Sequence, residues 1–181
     1  LEWGWDVPVE LFQNIKLPKL QSKAVRRIPD DDLQLLMQAT TDHNNIYLKP
    51  IIQFALETGM RRGELLSLQW KDIDYDRKLI TVDQTKNGYP RFIEITKPMN
   101  KILKNLVIKN EYVFPLSMNS LRLTYQRLCN KLGVKIRFHD FRHEAISRFF
   151  EKGYSIPHIA SISGHRTLSQ LFRYAHYKRS F

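Results

Sequence analysis

The sequence predicts a mainly α domain with one small three-stranded antiparallel β-sheet. Three observations predict it. Apolar residues recur at helical spacing along most of the chain. One stretch, 73–95, alternates polar and apolar residues instead and contains Asn87-Gly88, a strong hairpin signal. Gly59, Gly133, Gly153 and Gly164 punctuate the helical pattern where helices should stop. The 181 residues suffice for one domain with a real core, and neither an internal repeat nor a low-complexity tract is present.

The elements follow in order. Residues 1–28 lack periodicity and hold Pro8, Pro18 and the basic positions Lys19, Lys23, Arg26 and Arg27, so they read as a linker or arm. Pro29-Asp30-Asp31-Asp32 opens a helix, because acidic groups suit the positive end of the helix dipole. A second helix is expected over 47–58, with Ile51, Ile52, Ala55 and Leu56 buried and Gly59 as its stop. Arg61 then begins a short helix through Leu65, Leu66 and Leu68. Three strands come next, at 73–75, 79–82 and 91–95, and Lys86 falls at the tip of the last hairpin. Helices are expected over 99–107, 120–132, 140–152, 156–162 and 168–176.

Charge narrows the function. There are 29 Lys and Arg against 18 Asp and Glu, a net +11 with pI near 9.8, and such an excess attracts polyanions, nucleic acid first among them. Apolar content is ordinary for a globular protein. A single cysteine, Cys129, excludes an internal disulfide framework, fits a reducing cytosol and reads as a core residue. No apolar run reaches the length of a bilayer span, and the first residues do not read as a signal peptide.

Several basic stations stand in a telling order: Arg61 in TGMRRGELLSL, Lys86 in TKNGYPR, His139 and Arg142 in HDFRH, and His165 in GHRTLSQLFRYAHY, nine residues before Tyr174. Together they suit a phosphodiester. Cleavage builds negative charge on a pentavalent phosphorus, and arginine binds two oxygens at once through a planar, always-charged fork. Arg61 and Arg142 are the candidates for that clamp, with Glu64 available to hold the Arg61 fork. His139 and Arg142, three apart at a helix start, share one side, whereas His143 reads more readily as a structural histidine.

The ordered set resembles the tyrosine recombinases, the phage-integrase family of site-specific DNA recombinases, over 28–177. The resemblance implies a catalytic domain of that fold over 29–181 and strand cleavage and rejoining through a covalent 3′-phosphotyrosyl link, with no metal and no cofactor. It implies Tyr174 as nucleophile, with Tyr177 as a competitor three residues on, and Lys86 as general acid for the leaving 5′ oxygen. It implies that His139 accepts or relays the tyrosine proton or bonds the scissile phosphate, and that His165 bonds that phosphate. The implied partner is double-stranded DNA, with self-association as a tetramer on DNA in the full-length protein and no membrane. The implied location is the cytoplasm of a bacterium or phage-infected cell, at the nucleoid. A smaller helical DNA-clamping domain is expected before Leu1, joined by 1–28. Only seven residues follow Tyr174, where family members commonly carry a further segment that docks on a neighbouring subunit. Phosphate contacts are expected from Arg122, Arg127 and Lys131 of the 120–132 helix and from Lys19, Lys23, Arg26 and Arg27 of the arm.

Other readings fit less of the sequence. His139 and His143, four apart, could be zinc ligands, but Asp140 stands where a metalloprotease carries Glu, and Arg142 would repel a cation. A non-catalytic DNA-binding module explains the charge but does not require Tyr174 with every other station. A type IB topoisomerase uses similar chemistry, but the short chain and the motif wording are closer to integrases.

Overall fold

A computed structural model describes residues 27–83, 90–165, 167 and 169–174. Helix α1 (Asp30–Ala39) starts after Pro29 with three aspartates in its first turn, and Leu33 and Leu36 face the core. Helix α2 (Leu48–Thr58) is buried along Leu48, Ile51, Ile52, Phe54, Ala55 and Thr58. It ends at Gly59, whose φ of +62° closes the last turn in the left-handed region. Helix α3 (Arg62–Ser67) follows, with Arg61 extended at its N-cap.

Strands β1 (Ile73–Asp74), β2 (Leu79–Val82) and β3 (Arg91–Glu94) form one antiparallel sheet in sequence order, with Ile80 opposite both Ile73 and Ile93. Alternation holds along β3, and Ile93 and Glu94 follow their polarity, but Arg91 and Phe92 invert it. Arg91 and Ile93 point into the protein, while Phe92 is 58% exposed. The reason lies in the site described below, where a partly buried carboxylate, Glu64, pairs with Arg91.

Helix α4 (Lys97–Lys104) begins earlier than expected because Thr96 caps it, accepting from the Met99 N–H, with Pro98 in the first turn. Helix α5 (Met118–Leu132) likewise starts two residues early, capped by Ser117, whose hydroxyl accepts from the Ser120 N–H. Between them, the Val113 N–H donates to Leu68 O and the Trp70 N–H to Glu111 O, a pairing no sequence pattern announced.

Helix α6 (Asp140–Glu151) is the central post and packs along α2. Nine of its residues are buried, Asp140, Arg142 and Glu144 among them. Glu144 is held by Arg27 Nε at 2.9 Å and Nη2 at 3.0 Å, by Arg148 Nε at 2.8 Å and by the Ile28 N–H at 3.3 Å. Arg27 also reaches Glu151. Helix α7 (Ile156–Ser163), capped by Ser155, ends at Gly164 with φ +68°. Helix α8 spans only Ser169–Phe172, within the expected 168–176, and the Tyr174 N–H donates to Leu171 O in the tight turn that follows. Two apolar clusters result. The larger joins α1 to α5 and the sheet, and the smaller gathers the end of α6 with α7, Leu171 and Tyr174. No described helix is long and apolar enough to cross a membrane.

Candidate active site

Three chain breaks in regularity meet at one place: the end of α2 with the start of α3, the start of α6, and the end of α7. Each supplies a basic side chain, and the ends of α2 and α7 supply backbone carbonyls as well.

Arg142 lies at the centre, 4% exposed. Its Nη1 donates to Gly59 O at 2.6 Å and its Nη2 to Ser163 O at 2.7 Å, with His165 Nε2 at 3.4 Å. Both carbonyls belong to helix C-termini, where the dipole is negative and a cation is favoured. Burial first, and the Arg61 charge second, lower its pKa to about 10, so it remains a cation at neutral pH.

Arg61 is the open half of the pair, its side chain 47% exposed. Its Nη2 donates to Gly164 O at 3.3 Å and its Nη1 to Glu64 Oε1 at 2.9 Å. Glu64 does more than hold that fork. Its Oε2 also accepts from the Arg61 backbone N–H at 2.7 Å, fixing the first turn of α3.

A further arginine, given no role by sequence, completes this network. Arg91 donates from Nη1 to Glu64 Oε1 at 3.1 Å, from Nη2 to Glu64 Oε2 at 2.7 Å and from Nε to Ile162 O at 2.8 Å. Its guanidinium lies so near Gly164 that a Cβ there would stand 3.1 Å from Nη1. Gly164 is thus needed both for its left-handed φ and for this close approach. Burial would raise the Glu64 carboxyl, but the hydrogen bonds and charge of Arg91, with Arg61, bring it below its ordinary value. Arg91 therefore ties β3, α3 and the end of α7 together beneath Arg61.

His165 follows Gly164. The Ser163 hydroxyl donates its one proton to Ile159 O at 2.6 Å, so its 2.7 Å contact with His165 Nδ1 must be an N–H donated by the imidazole. That leaves Nε2 as the acceptor facing Arg142. Burial, then Arg142 and Arg61, push His165 down to about 3. Its expected bond to a phosphate therefore requires a second proton, which an arriving anion favours.

Tyr174 is buried, 1% exposed, with its ring stacked on Phe150 at a centroid distance of 6.2 Å. Its hydroxyl meets Nδ1 of His143, not His139. Sequence favoured a structural role for His143; the phenol contact is the finding that changes this. Burial and the neighbouring His139 lower His143 to about 4, so it is neutral at physiological pH. Burial raises the Tyr174 phenol, opposed by Arg173 and Arg142. His139 stands at the exposed N-terminus of α6, its ring edge-on to His143 at 4.8 Å, and makes no side-chain hydrogen bond among the described residues. Burial and the Arg142 charge lower its pKa as well.

Lys86 falls in the connection between β2 and β3, outside the described residues, as do Lys19, Lys23, Arg26 and Tyr177. The basic positions of α5 divide. Arg122 lines a groove with Gln126 and Asn130, four residues apart on one helix face, rimmed by Arg62, Lys135 and Arg137. Arg127 and Lys131 face another hollow, beside Asp42 and His43. Arg27, expected on phosphate, has its guanidinium engaged by Glu144 and Glu151. No signal in the arm's composition could have told this ion-paired arginine from its basic neighbours.

The chain resembles known proteins along most of its length. Over 181 aligned residues, 97% of the chain, it is 35% identical to the shufflon-specific DNA recombinase of Escherichia coli, covering 46% of that protein. It is 28% identical to the tyrosine recombinase XerA of Saccharolobus solfataricus, covering 88% of this chain and 55% of the relative. The chain thus spans about half the length of these relatives. The fold matches the catalytic domain of bacteriophage HP1 integrase with a TM-score of 0.70 at 22% identity, over 84% of this chain and 88% of that one. A crystal structure of XerA recombinase matches at 0.69 and 23%, over 91% and 63%. The phage integrase family profile covers residues 26–180, and the chain belongs to that family.

Proposed function

We propose that this chain is the catalytic domain of a site-specific DNA recombinase that cleaves and rejoins strands through a 3′-phosphotyrosyl link at Tyr174. The observation that carries the proposal is the convergence of Arg61 and Arg142 on the carbonyls of Gly59, Ser163 and Gly164, with His165 against Arg142. Three of the five Arg142 N–H groups have partners there, which leaves its fork two for a phosphate. Arg61, half exposed, supplies the second fork. Two cations aimed at the non-bridging oxygens stabilise the pentavalent state more than the diester. Lys86 is assigned the proton for the leaving 5′ oxygen, and His165, once protonated, a bond to the phosphate.

The substrate is double-stranded DNA in the bacterial or phage-infected cell. The face of α5 carrying Arg122, Gln126 and Asn130 supports this, because these side chain types pair bidentately with base edges. Similar folds have been solved as a lambda integrase dimer bound to a core site and a tetramer bound to a Holliday junction. We extend such self-association on DNA to the longer protein. The test is trapping on a nicked DNA site. This chain should give a covalent protein–DNA band on a denaturing gel, and Tyr174→Phe should bind DNA without forming it. A band lost with Tyr177→Phe instead overturns the assignment.

A further inference from the structure

We propose that His143 is the base that takes the Tyr174 proton during attack and returns it during rejoining, an assignment that rests on Tyr174 being the nucleophile. The carrying observation is geometric: His143 Nδ1 is the partner of the Tyr174 hydroxyl among the described residues. Phenol is a far stronger acid than neutral imidazole, and imidazole the stronger base, so the O–H donates to Nδ1. The other candidates are engaged elsewhere. His165 gives Nδ1–H to Ser163 and turns Nε2 to Arg142. His139 touches the His143 ring edge-on and not the phenol. The framework holds the pair still, with His143 on α6 one residue from Arg142 and the Tyr174 ring flat against Phe150.

In the forward step the Tyr174 O–H bond breaks and its proton passes to His143 Nδ1. The phenol oxygen bonds to phosphorus, and the P–O5′ bond breaks. The departing oxygen takes a different proton, from the general acid assigned above. In rejoining, the 5′ hydroxyl gives its proton back to that general acid as its oxygen bonds to phosphorus, the phosphotyrosyl bond breaks, and His143 returns its proton to the phenolate oxygen.

The basicity of His143 is set by what surrounds it. From α6 come His139, Asp140 and Arg142; from beyond α8 comes Arg173; and His165 stands across the pocket. Burial first, then His139, with Arg173 and Arg142 adding to them, hold His143 well below its ordinary value. A bound phosphodiester offsets Arg61 and Arg142 and favours the imidazolium. Proton removal is thereby linked to the presence of substrate, so the phenol is not ionised in an empty site.

The experiment is single-turnover adduct formation on nicked DNA with His143→Asn, which keeps a hydrogen-bonding atom near the Nδ1 position but cannot accept a proton, and with His143→Ala. Both should bind DNA as the parent does and cleave on the order of 10²- to 10⁴-fold more slowly. Replacing Tyr174 by a fluorinated tyrosine, a more acidic phenol, should restore His143→Asn at neutral pH by at least tenfold more than it changes the parent. Parent-like cleavage by His143→Asn reduces His143 to a hydrogen-bond partner and overturns the proposal. So does faster cleavage by His143→Ala, which would make His143 a latch that parks the tyrosine, and so does equal response of both proteins to the fluorinated phenol. An adduct that survives Tyr174→Phe is a different failure, that of the nucleophile itself.

Discussion

Arg91→Met is the sharpest test of how the site is held. The substitution keeps an unbranched apolar chain and removes three donated hydrogen bonds, two to Glu64 and one to Ile162 O. Glu64, its side chain 16% exposed, is left with only the two bonds from Arg61. Removing one member of a buried pair costs about 3–5 kcal/mol. The remaining Arg61 bonds place this case at the low end, about 3 kcal/mol. In a domain of this size each kcal/mol lowers Tm by about 2–4 °C, so Arg91→Met should melt roughly 6–12 °C below the parent. Arg91→Lys should recover little, because one ammonium cannot span two carboxylate oxygens and a carbonyl. The deciding measurement is a double-mutant cycle by denaturant unfolding. Glu64→Gln in the Arg91→Met background should cost much less than Glu64→Gln alone, since no buried charge is then left without its partner. Additivity within about 0.5 kcal/mol would refute the strut.

Three further outcomes are expected. Lys86→Ala should fail on ordinary DNA and recover on a 5′-bridging phosphorothiolate, whose sulfur leaves unaided, while Arg61→Ala should recover much less; equal failure of Lys86→Ala on both would remove it as general acid. Stability should fall as the medium is acidified. His143 and His165 have folded pKa values lowered from 6.5 to about 4 and about 3, so their contribution is full above 6.5 and is lost as pH falls through those values. Glu64 and Glu144, held below the ordinary carboxylate value, lose theirs as pH falls below that value, and thermal melts between neutrality and acid that show no decline would contradict both. Finally, Gln126→Ala or Asn130→Ala should relax sequence preference with an unchanged salt slope, whereas Arg122→Ala should also reduce the slope of log affinity against log salt by about 0.9 if it neutralises a phosphate.

Much of the architecture was legible because it is written locally. Gly59 and Gly164 mark helix ends, Asp30–Asp32 a helix start, and 73–95 a sheet, each through a few adjacent residues. Arg61, Arg142, His165 and Tyr174 were legible as a set through their order and spacing. What escaped depends on contacts distant in sequence. Arg91 belongs to the site because β3 turns it inward onto Glu64, 27 residues earlier. His143 belongs because Tyr174, 31 residues later, folds back onto it. Arg27 looks like its basic neighbours until Glu144, 117 residues away, claims it. Periodicity assigns a residue to a face; it does not say which buried charge waits on the other side.

The setting of Arg142 has a consequence for how inactive variants are interpreted. Its guanidinium joins the last carbonyls of α2 and α7 to α6, so the residue proposed to neutralise phosphate also closes the fold at its centre. Activity and structural integrity are not separable at this position. An Arg142 variant that fails to cleave DNA reports on both, and an inactive descendant of this domain would be under pressure to keep Arg142 long after losing Tyr174. Arg61 also bonds Glu64 and the Gly164 carbonyl, but with its side chain 47% exposed it is the less embedded of the two, so its substitution separates charge stabilisation from folding more cleanly.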